Sequence, residues 1–116
     1  MKKLMLAVLA VALVLPLGYA KPIVVGHVVF TMEHQFHQSI ARELQSYGPK
    51  MYGVKVIILD GGGTGEKMLA AVENLIQQKV DAISIHSSDT ALAAKAIELA
   101  HAKGIPIVTT LIYPDS

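Results

Sequence analysis

Four short apolar runs alternate with three helical patterns, and this alternation restricts the possible folds more than any other feature of the sequence. Each run is rich in β-branched residues and apolar at consecutive positions, which is typical of parallel strands that are covered on both faces. The runs are Ile23–Phe30, Val54–Leu59, Val80–Ile85 and Ile105–Thr110. Pro106 falls at the start of the last run, where a missing N–H group is tolerated.

The segments between the runs carry apolar residues at helical spacing. Three sets of residues each share a helix face: Ile40, Leu44 and Tyr47; Leu69, Val72, Leu75 and Ile76; and Leu92, Ala96, Leu99 and Ala100. Gly48 and Pro49 should end or kink the first helix. Thr64 is a suitable N-cap for the second helix, Asp89 or Ser88 for the third, and Gly104 should stop the third.

The predicted order is therefore β-α-β-α-β-α-β, an α/β fold in which a parallel sheet carries helices on both faces, as a Rossmann-like three-layer sandwich. Ligands bind outside the carboxyl ends of the strands in such sheets. Four segments are thus candidates for function, namely Thr31–His37, Asp60–Thr64, His86–Asp89 and the residues from Thr110 onwards.

The first 20 residues are arranged like a secretory signal peptide. Basic residues at the start precede an apolar run over Leu4–Leu17, and small residues at Gly18 and Ala20 predict cleavage after Ala20. A membrane anchor is the alternative, but spanning a bilayer takes about 20 apolar residues, and this run is shorter and contains Pro16. The expected mature domain is 21–116.

Charge and cysteine content exclude several classes of function for the mature chain. Cleavage removes Lys2 and Lys3, which leaves eight basic against nine acidic residues and a net charge of −1. Without a basic patch, we expect no binding to nucleic acid or membrane surfaces. The chain has no cysteine, so its core must hold it without disulfides, and no lipid-modified cysteine follows the signal. These features favour a free protein of the periplasm.

The segment Asp60–Lys67 resembles a phosphate-binding loop, but its chemistry fails at the decisive positions. A P-loop needs Gly-Lys-Ser/Thr, whereas Glu66 precedes Lys67 and Met68 follows it. The dinucleotide fingerprint fails as well, because Glu66 stands where the third glycine is required. We interpret the glycines as a turn and expect no bound cofactor.

The loop over Thr31–His37 is the most polar and aromatic stretch, a composition suited to a small polar ligand such as a sugar; a solvated loop stapled by Phe36 is the alternative.

His34, His37 and His86 could hold a metal, but their spacing is a weak signal and we predict no metal site. His86, Ser87 and Asp89 are too close in sequence to form a catalytic relay, and we predict no catalytic residues.

The chain resembles periplasmic binding proteins of the ribose-binding type, which serve sugar ABC importers, over nearly all of the mature region. Five segments carry the resemblance: Val24–Thr31 (VVGHVVFT), the strand ending at Leu59-Asp60, Glu73–Ile83, His86–Asp89, and Ala102–Val108. The resemblance implies the incomplete N-terminal lobe of a type I periplasmic binding protein. Such proteins close two lobes on a solute and present it to a membrane permease.

The resemblance also implies the binding residues. His34, Phe36 and His37 match the family's first-loop contacts and His86 the polar contact after the third strand; Glu33 and Asp60 complete the candidate ligand-binding set. The well-known sugar binders have an Asp-Arg pair after the fourth strand, whereas this chain has Leu111 and Ile112, so its ligand should be less polar or not a sugar. The family's chains are two to three times longer, so we expect a truncated product with an open edge at its fourth strand.

The leading hypothesis is a monomeric solute-binding component of an ABC importer, which binds a sugar-like solute and is not an enzyme. Two alternatives remain at this stage. One is a small exported flavodoxin-like enzyme or cofactor-binding domain, although its first loop carries Glu33, His34 and Phe36 in place of a Ser/Thr-rich flavin loop. The other is a periplasmic ligand-sensing module that docks a receptor.

Overall fold

The computed structural model describes residues 21–111, without the Leu111 side chain, so the predicted leader and Ile112 lie outside the described part. Four strands and three α-helices alternate along the chain, as predicted. They are β1 (Val24–Val29), α1 (Gln35–Tyr47), β2 (Lys55–Asp60), α2 (Gly65–Gln77), β3 (Ala82–Ser87), α3 (Thr90–Ala102) and β4 (Ile107–Leu111). Within this part, no helix is both long enough and apolar enough to span a bilayer.

The strands form one parallel sheet in the order β2-β1-β3-β4. β4 is an edge strand in the described part of the sheet, as the sequence predicted. β3 and β4 run further than expected, because Ser87 of β3 pairs with Leu111 of β4. His86 and Ser87 therefore belong to β3, and the prediction that the third strand ends at Ile85 was wrong.

Helices lie on both faces of the sheet, which confirms the three-layer prediction. α2 and α3 pack on the face that carries Val28, Ile83 and Ile85, and the buried core lies between them. Contributing helix residues that are buried there are Met68, Val72, Leu75, Ala93, Ala96 and Ala100. α1 lies on the opposite face, where its Leu44 and Tyr47 approach Val25 and Val56.

The predicted helix ends agree with the structure. The Thr64 side chain accepts a hydrogen bond from the Lys67 N–H, and Asp89 accepts one from the Leu92 N–H, so each caps its helix. Gly104 follows α3 with a φ of +69°, a conformation that favours glycine. At Gly48 the chain leaves α1 for a short π-helix, Gly48–Tyr52, instead of stopping.

Candidate functional site

The strand order creates a crevice at the carboxyl edge of the sheet. β1 lies between β2 and β3. The connection through α1 therefore runs from β1 to β2 on one side, and the connection through α2 crosses back over β1 to β3 on the other side. The two loops that leave the carboxyl ends of β1 and β3 therefore diverge. Such a switch point is where open parallel sheets bind ligands.

A cavity of about 440 Å³ lies at this point, on the sheet face that carries α1. Its lining residues come from β1, α1, β3 and β4, and they are His27, Phe36, His37, Ile40, His86 and Thr110. Three of the predicted site residues, Phe36, His37 and His86, thus meet at one cavity although up to 50 positions separate them in sequence. No lining residue is acidic.

The rings in and beside this cavity form a contiguous cluster. The centroids of His37 and His86 are 4.9 Å apart, in an edge-on arrangement with 67° between the ring planes. Phe36 meets His37 edge-on at 5.2 Å, and Phe30 lies 5.6 Å from the same ring. His37 is at the centre of the cluster, while Phe36 is 66% exposed and presents its free surface to solvent.

The environment keeps the cavity imidazoles uncharged. Burial lowers the pKa of His37 and, second, so does the neighbouring His34. Burial also lowers the pKa of His86, with His37 as the second cause. Both rings are therefore neutral at pH 7, and each has one N–H donor and one nitrogen acceptor. Paired donors and acceptors of this kind suit hydroxyl groups.

His27 is the third imidazole of the cavity. Burial, followed by the proximity of His86, lowers its pKa to about 4, although a hydrogen bond with the Ser84 backbone acts in the opposite direction. A separate side-chain contact joins His27 Nδ1 and Ser84 Oγ at 2.7 Å. Nε2 of His27 and Nδ1 of His37 are buried without a hydrogen-bond partner in the described part of the chain.

Two more predicted residues lie at the rim. His34 is exposed, with its ring centroid 6.3 Å from that of His37. Glu33 is also exposed, and its backbone N–H donates to Thr31 Oγ1 at 3.2 Å. Both belong to the loop that enters the cavity, but neither side chain lines it.

Asp60, the remaining predicted ligand contact, lies apart from the cavity. Its Oδ1 accepts hydrogen bonds from the backbone N–H groups of Met32, at 3.1 Å, and Gly62, at 2.8 Å. It thereby ties the loop after β1 to the loop after β2. Its surroundings are a separate depression lined by Met32, Gln38 and Arg42, among others. In the structure, Asp60 thus holds these two loops in position and does not line the cavity.

The glycine-rich loop uses its own amides internally. Gly61 N–H donates to the Val29 carbonyl, Gly63 N–H to the Phe30 carbonyl, and Thr64 N–H to the Gly61 carbonyl. Gly62 N–H is bonded to Asp60. A phosphate site needs several such amides to be free and convergent. The loop is therefore a turn, with positive φ at Gly62 and Gly63, as the sequence indicated.

Residues 21–111 contain no group of three His, Cys, Asp or Glu side chains that could hold a metal ion. The residue types of a hydrolytic triad serve the start of α3 instead. Ser87 Oγ accepts from the Asp89 N–H at 3.1 Å, and Asp89 Oδ1 accepts from the Leu92 N–H at 2.9 Å. Neither arrangement places a base beside an activated nucleophile.

Sequence reasoning missed three residues of the site. Phe30, His27 and Ile40 line or flank the cavity, yet none of them lay in a segment singled out for binding. His27 lay within the first predicted strand. It is buried on the α1 face of β1, and alternation along the strand was the signal that could have placed it toward the site.

A larger cavity, of about 640 Å³, lies at the opposite edge of the sheet and is lined by residues such as Lys79, Asp81 and Lys103. The C-termini of α2 and α3 end there, and carbonyls of their last turns, such as those of Leu75 and Ala100, are already hydrogen-bonded to the backbone that follows. It contains no aromatic ring. The smaller cavity is the better candidate because aromatic and hydrogen-bonding groups converge on it.

The fold and the cavity together define a ligand-binding α/β lobe. More specifically, the chain belongs to the periplasmic binding protein family: the model of the periplasmic binding protein domain matches residues 25–111. This confirms the resemblance inferred from the sequence and argues against the flavodoxin-like alternative.

Relatives of known structure or name agree with this assignment. The chain is 37% identical over 92 residues to the ribose import binding protein RbsB of Bacillus subtilis (strain 168), with 79% of the chain and 30% of that relative covered. A 5-methylthioribose transporter solute-binding protein from Thermotoga lettingae TMO, solved with 5-methylthioribose, is 28% identical with a TM-score of 0.66, covering 80% of this chain and 29% of that one.

A third similar protein shows the fold alone. It is an ABC transporter solute-binding protein from Bacillus halodurans C-125 with bound myo-inositol, 24% identical, with a TM-score of 0.68 and coverage of 79% of this chain and 32% of that one. The chain spans about 30% of the length of the curated relative it matches, the ribose import binding protein.

Proposed function

We propose that this protein is the solute-binding component of an ABC importer and that it holds a sugar or related small polar solute. The observation that carries the proposal is the cavity at the switch point, where neutral imidazoles of His37 and His86 meet the exposed ring of Phe36. Relatives described as sugar or ribose binders support the same solute class.

The cavity suits binding without chemical change. A sugar has hydroxyl groups that need both donors and acceptors, and apolar C–H faces that pack on aromatic rings. His37 and His86 supply the donors and acceptors. Phe36, in the first turn of α1, supplies the aromatic ring. His34 and Glu33 stand at the rim, where they can contact a larger solute. The protein is proposed to bind and deliver its solute, not to convert it.

Delivery requires export and a membrane partner. The predicted leader, cleaved after Ala20, would place the mature protein in the periplasm as a monomer that presents its solute to a permease. Relatives about three times as long provide a further stretch of polypeptide. We propose that a second lobe closes over the cavity in such proteins, and that this lobe alone binds weakly because the opposing contacts are missing.

The substitution Phe36→Ala tests the proposed site. Removing a ring that is 66% exposed should leave the free energy of unfolding nearly unchanged. Affinity for a monosaccharide such as D-ribose should fall about tenfold. The reason is that the bound solute covers the ring, and such an aromatic contact contributes roughly 1–1.5 kcal/mol. Ligand-detected NMR titration suits the weak affinity expected.

Tyr52→Ala is the matched control, since Tyr52 is also aromatic and 79% exposed but does not line the cavity. It should leave binding unchanged. Equal affinity in Phe36→Ala and the parent chain would show that the first loop is only structural. No binding of any sugar or polyol from a broad panel would contradict the proposed function itself.

A further inference from the structure

The N-terminus of α1 differs from those of the other two helices. Thr64 caps α2 and Asp89 caps α3, whereas His34, the N-cap of α1, makes no side-chain capping hydrogen bond, and the first turn of α1 has no acidic residue. The first backbone bond of the helix runs from the Gln38 N–H to the His34 carbonyl. The preceding N–H groups have no protein partner in the described residues.

His37 adds an independent observation at the same place. It is the third residue of α1, only 6% exposed, and its ring lines the cavity. Its Nδ1 nitrogen has no hydrogen-bond partner within residues 21–111. A buried polar atom without a partner is destabilising, and a ligand that pairs with it removes that cost. An uncapped helix N-terminus and an unpaired imidazole thus converge on one cavity. The helix N-terminus favours a negatively charged group, and His37 can donate a hydrogen bond to such a group when Nδ1 carries the proton.

Charged and titratable groups surround the cavity, but none of its lining residues is acidic. Its titratable neighbours are Glu33, His34 and Glu43 on α1 and its leading loop, His27 on β1 and His86 on β3; β4 contributes only Thr110. Farther away, Asp60 on β2 and Asp89 at the start of α3 accept backbone hydrogen bonds. No carboxylate lines the cavity. Glu33, which precedes the N-cap of α1, is exposed to solvent, and solvent screens its repulsion of a bound anion.

We propose that the solute is a sugar acid, whose carboxylate binds at the N-terminus of α1 beside His37 while the His37–His86 pair takes up one proton from water. This proposal rests on the proposed function and narrows it. The rings, 4.9 Å apart, form a pair that an anion can charge once but that resists a second proton. The solute would then differ from myo-inositol and 5-methylthioribose, the uncharged solutes bound by two of the similar proteins.

The test compares each acid with its neutral counterpart on the 116-residue chain. Titration calorimetry uses D-glucuronate, D-galacturonate and D-ribonate against D-glucose, D-galactose and D-ribose at pH 5.5, 6.5 and 7.5. One acid should bind at least tenfold more tightly than its neutral partner at pH 5.5. Its affinity should fall by up to about tenfold per pH unit, as linkage to one proton requires. Buffers of different ionisation enthalpy should report uptake of about one proton.

His37→Gln should abolish the pH dependence, and His101→Gln, an exposed change on α3, should preserve it. If His37→Gln does not fold, His86→Gln takes its place, and 15N shifts of the imidazoles in the parent chain should report a new imidazolium on adding the acid. Tighter binding of a neutral sugar, or acid binding independent of pH, overturns the sugar-acid proposal and leaves the proposed function standing. Absence of binding by both classes contradicts both proposals.

Discussion

His27 is buried on β1 beside Ser84 and His86, in a setting that opposes its protonation. Its pKa falls from 6.5 to about 4, chiefly by burial. Because the folded-state pKa lies below the unfolded one, the contribution of neutral His27 to the free energy of unfolding is fully present above pH 6.5. It is lost progressively as the pH falls from 6.5 toward 4. The shift corresponds to a loss of at most ~3 kcal/mol.

We therefore expect the free energy of unfolding, from urea titrations between pH 7.5 and 4, to fall most steeply below pH 6.5. His27→Gln should flatten this profile, because glutamine keeps a polar partner for Ser84 and does not titrate. His101→Gln, on the exposed side of α3, should follow the parent chain. An NMR-measured pKa for His27 at or above 6.5 would contradict the assigned environment.

The individual site residues could be predicted only in part. The polar and aromatic composition of Thr31–His37 indicated a binding loop, and Phe36, His37 and His86 do meet at one cavity. Ile40 was recognised as a helix residue and His27 as a strand residue, but their facing positions depend on how α1 crosses the sheet. Asp60 was chosen by its place at a strand end, and its two backbone partners come from long-range geometry.

The turn between β2 and α2 depends on a close approach of two backbone segments at Gly61. A Cβ atom there would lie 2.4 Å from the carbonyl oxygen of Val29, which also accepts the Gly61 N–H. Gly61→Ala should therefore destabilise the fold by about 2 kcal/mol or more, because backbone must move to relieve the clash. Thermal and urea unfolding measure the change.

Gly63→Ala provides the comparison in the same loop. A Cβ at Gly63 meets nothing within 4 Å, but the φ of +76° is unfavourable for alanine. Its cost should be about 1 kcal/mol, from backbone strain alone. Equal losses in both variants would mean that the close approach at Gly61 is not the determining constraint.

The ends of the helices were more predictable than the carboxyl end of β3. Caps at Thr64 and Asp89 and the stop at Gly104 are local signals, and all three are confirmed. The carboxyl end of β3 is a different case, because Ser87 belongs to the strand only by pairing with β4, about 25 residues later. The apolar run in the sequence had indicated a strand that ends at Ile85.

Across the whole molecule, the two faces of the sheet are unequally covered. Ile85, on the face under α2 and α3, is fully buried, while Val108 on β4 is 68% exposed. Ile85→Ala should cost about 2–5 kcal/mol through lost burial and the cavity it leaves. Val108→Ala should cost no more than about 0.5 kcal/mol. Chemical denaturation of the two variants checks this asymmetry, and a large loss at Val108 would show that its side chain is covered in solution.

The parallel three-layer arrangement followed from alternating apolar runs and helical patterns, since few topologies accommodate that order. The position of the cavity within it also followed from the rule for strand carboxyl ends. Its lining did not, because four separate elements contribute side chains and their distances depend on packing. The central claim is thus that function resides at the crevice between the ends of β1 and β3.

Chemical-shift mapping tests this claim most directly. A 15N-labelled 116-residue chain is titrated with D-ribose, D-glucose and the sugar acids named above, and backbone and imidazole shifts are followed. The account predicts changes concentrated at Phe30–Ile40 and at His86, with the amino edge near Lys79 and Lys103 unaffected. Shifts confined to that opposite edge, or spread evenly over the surface, would contradict it.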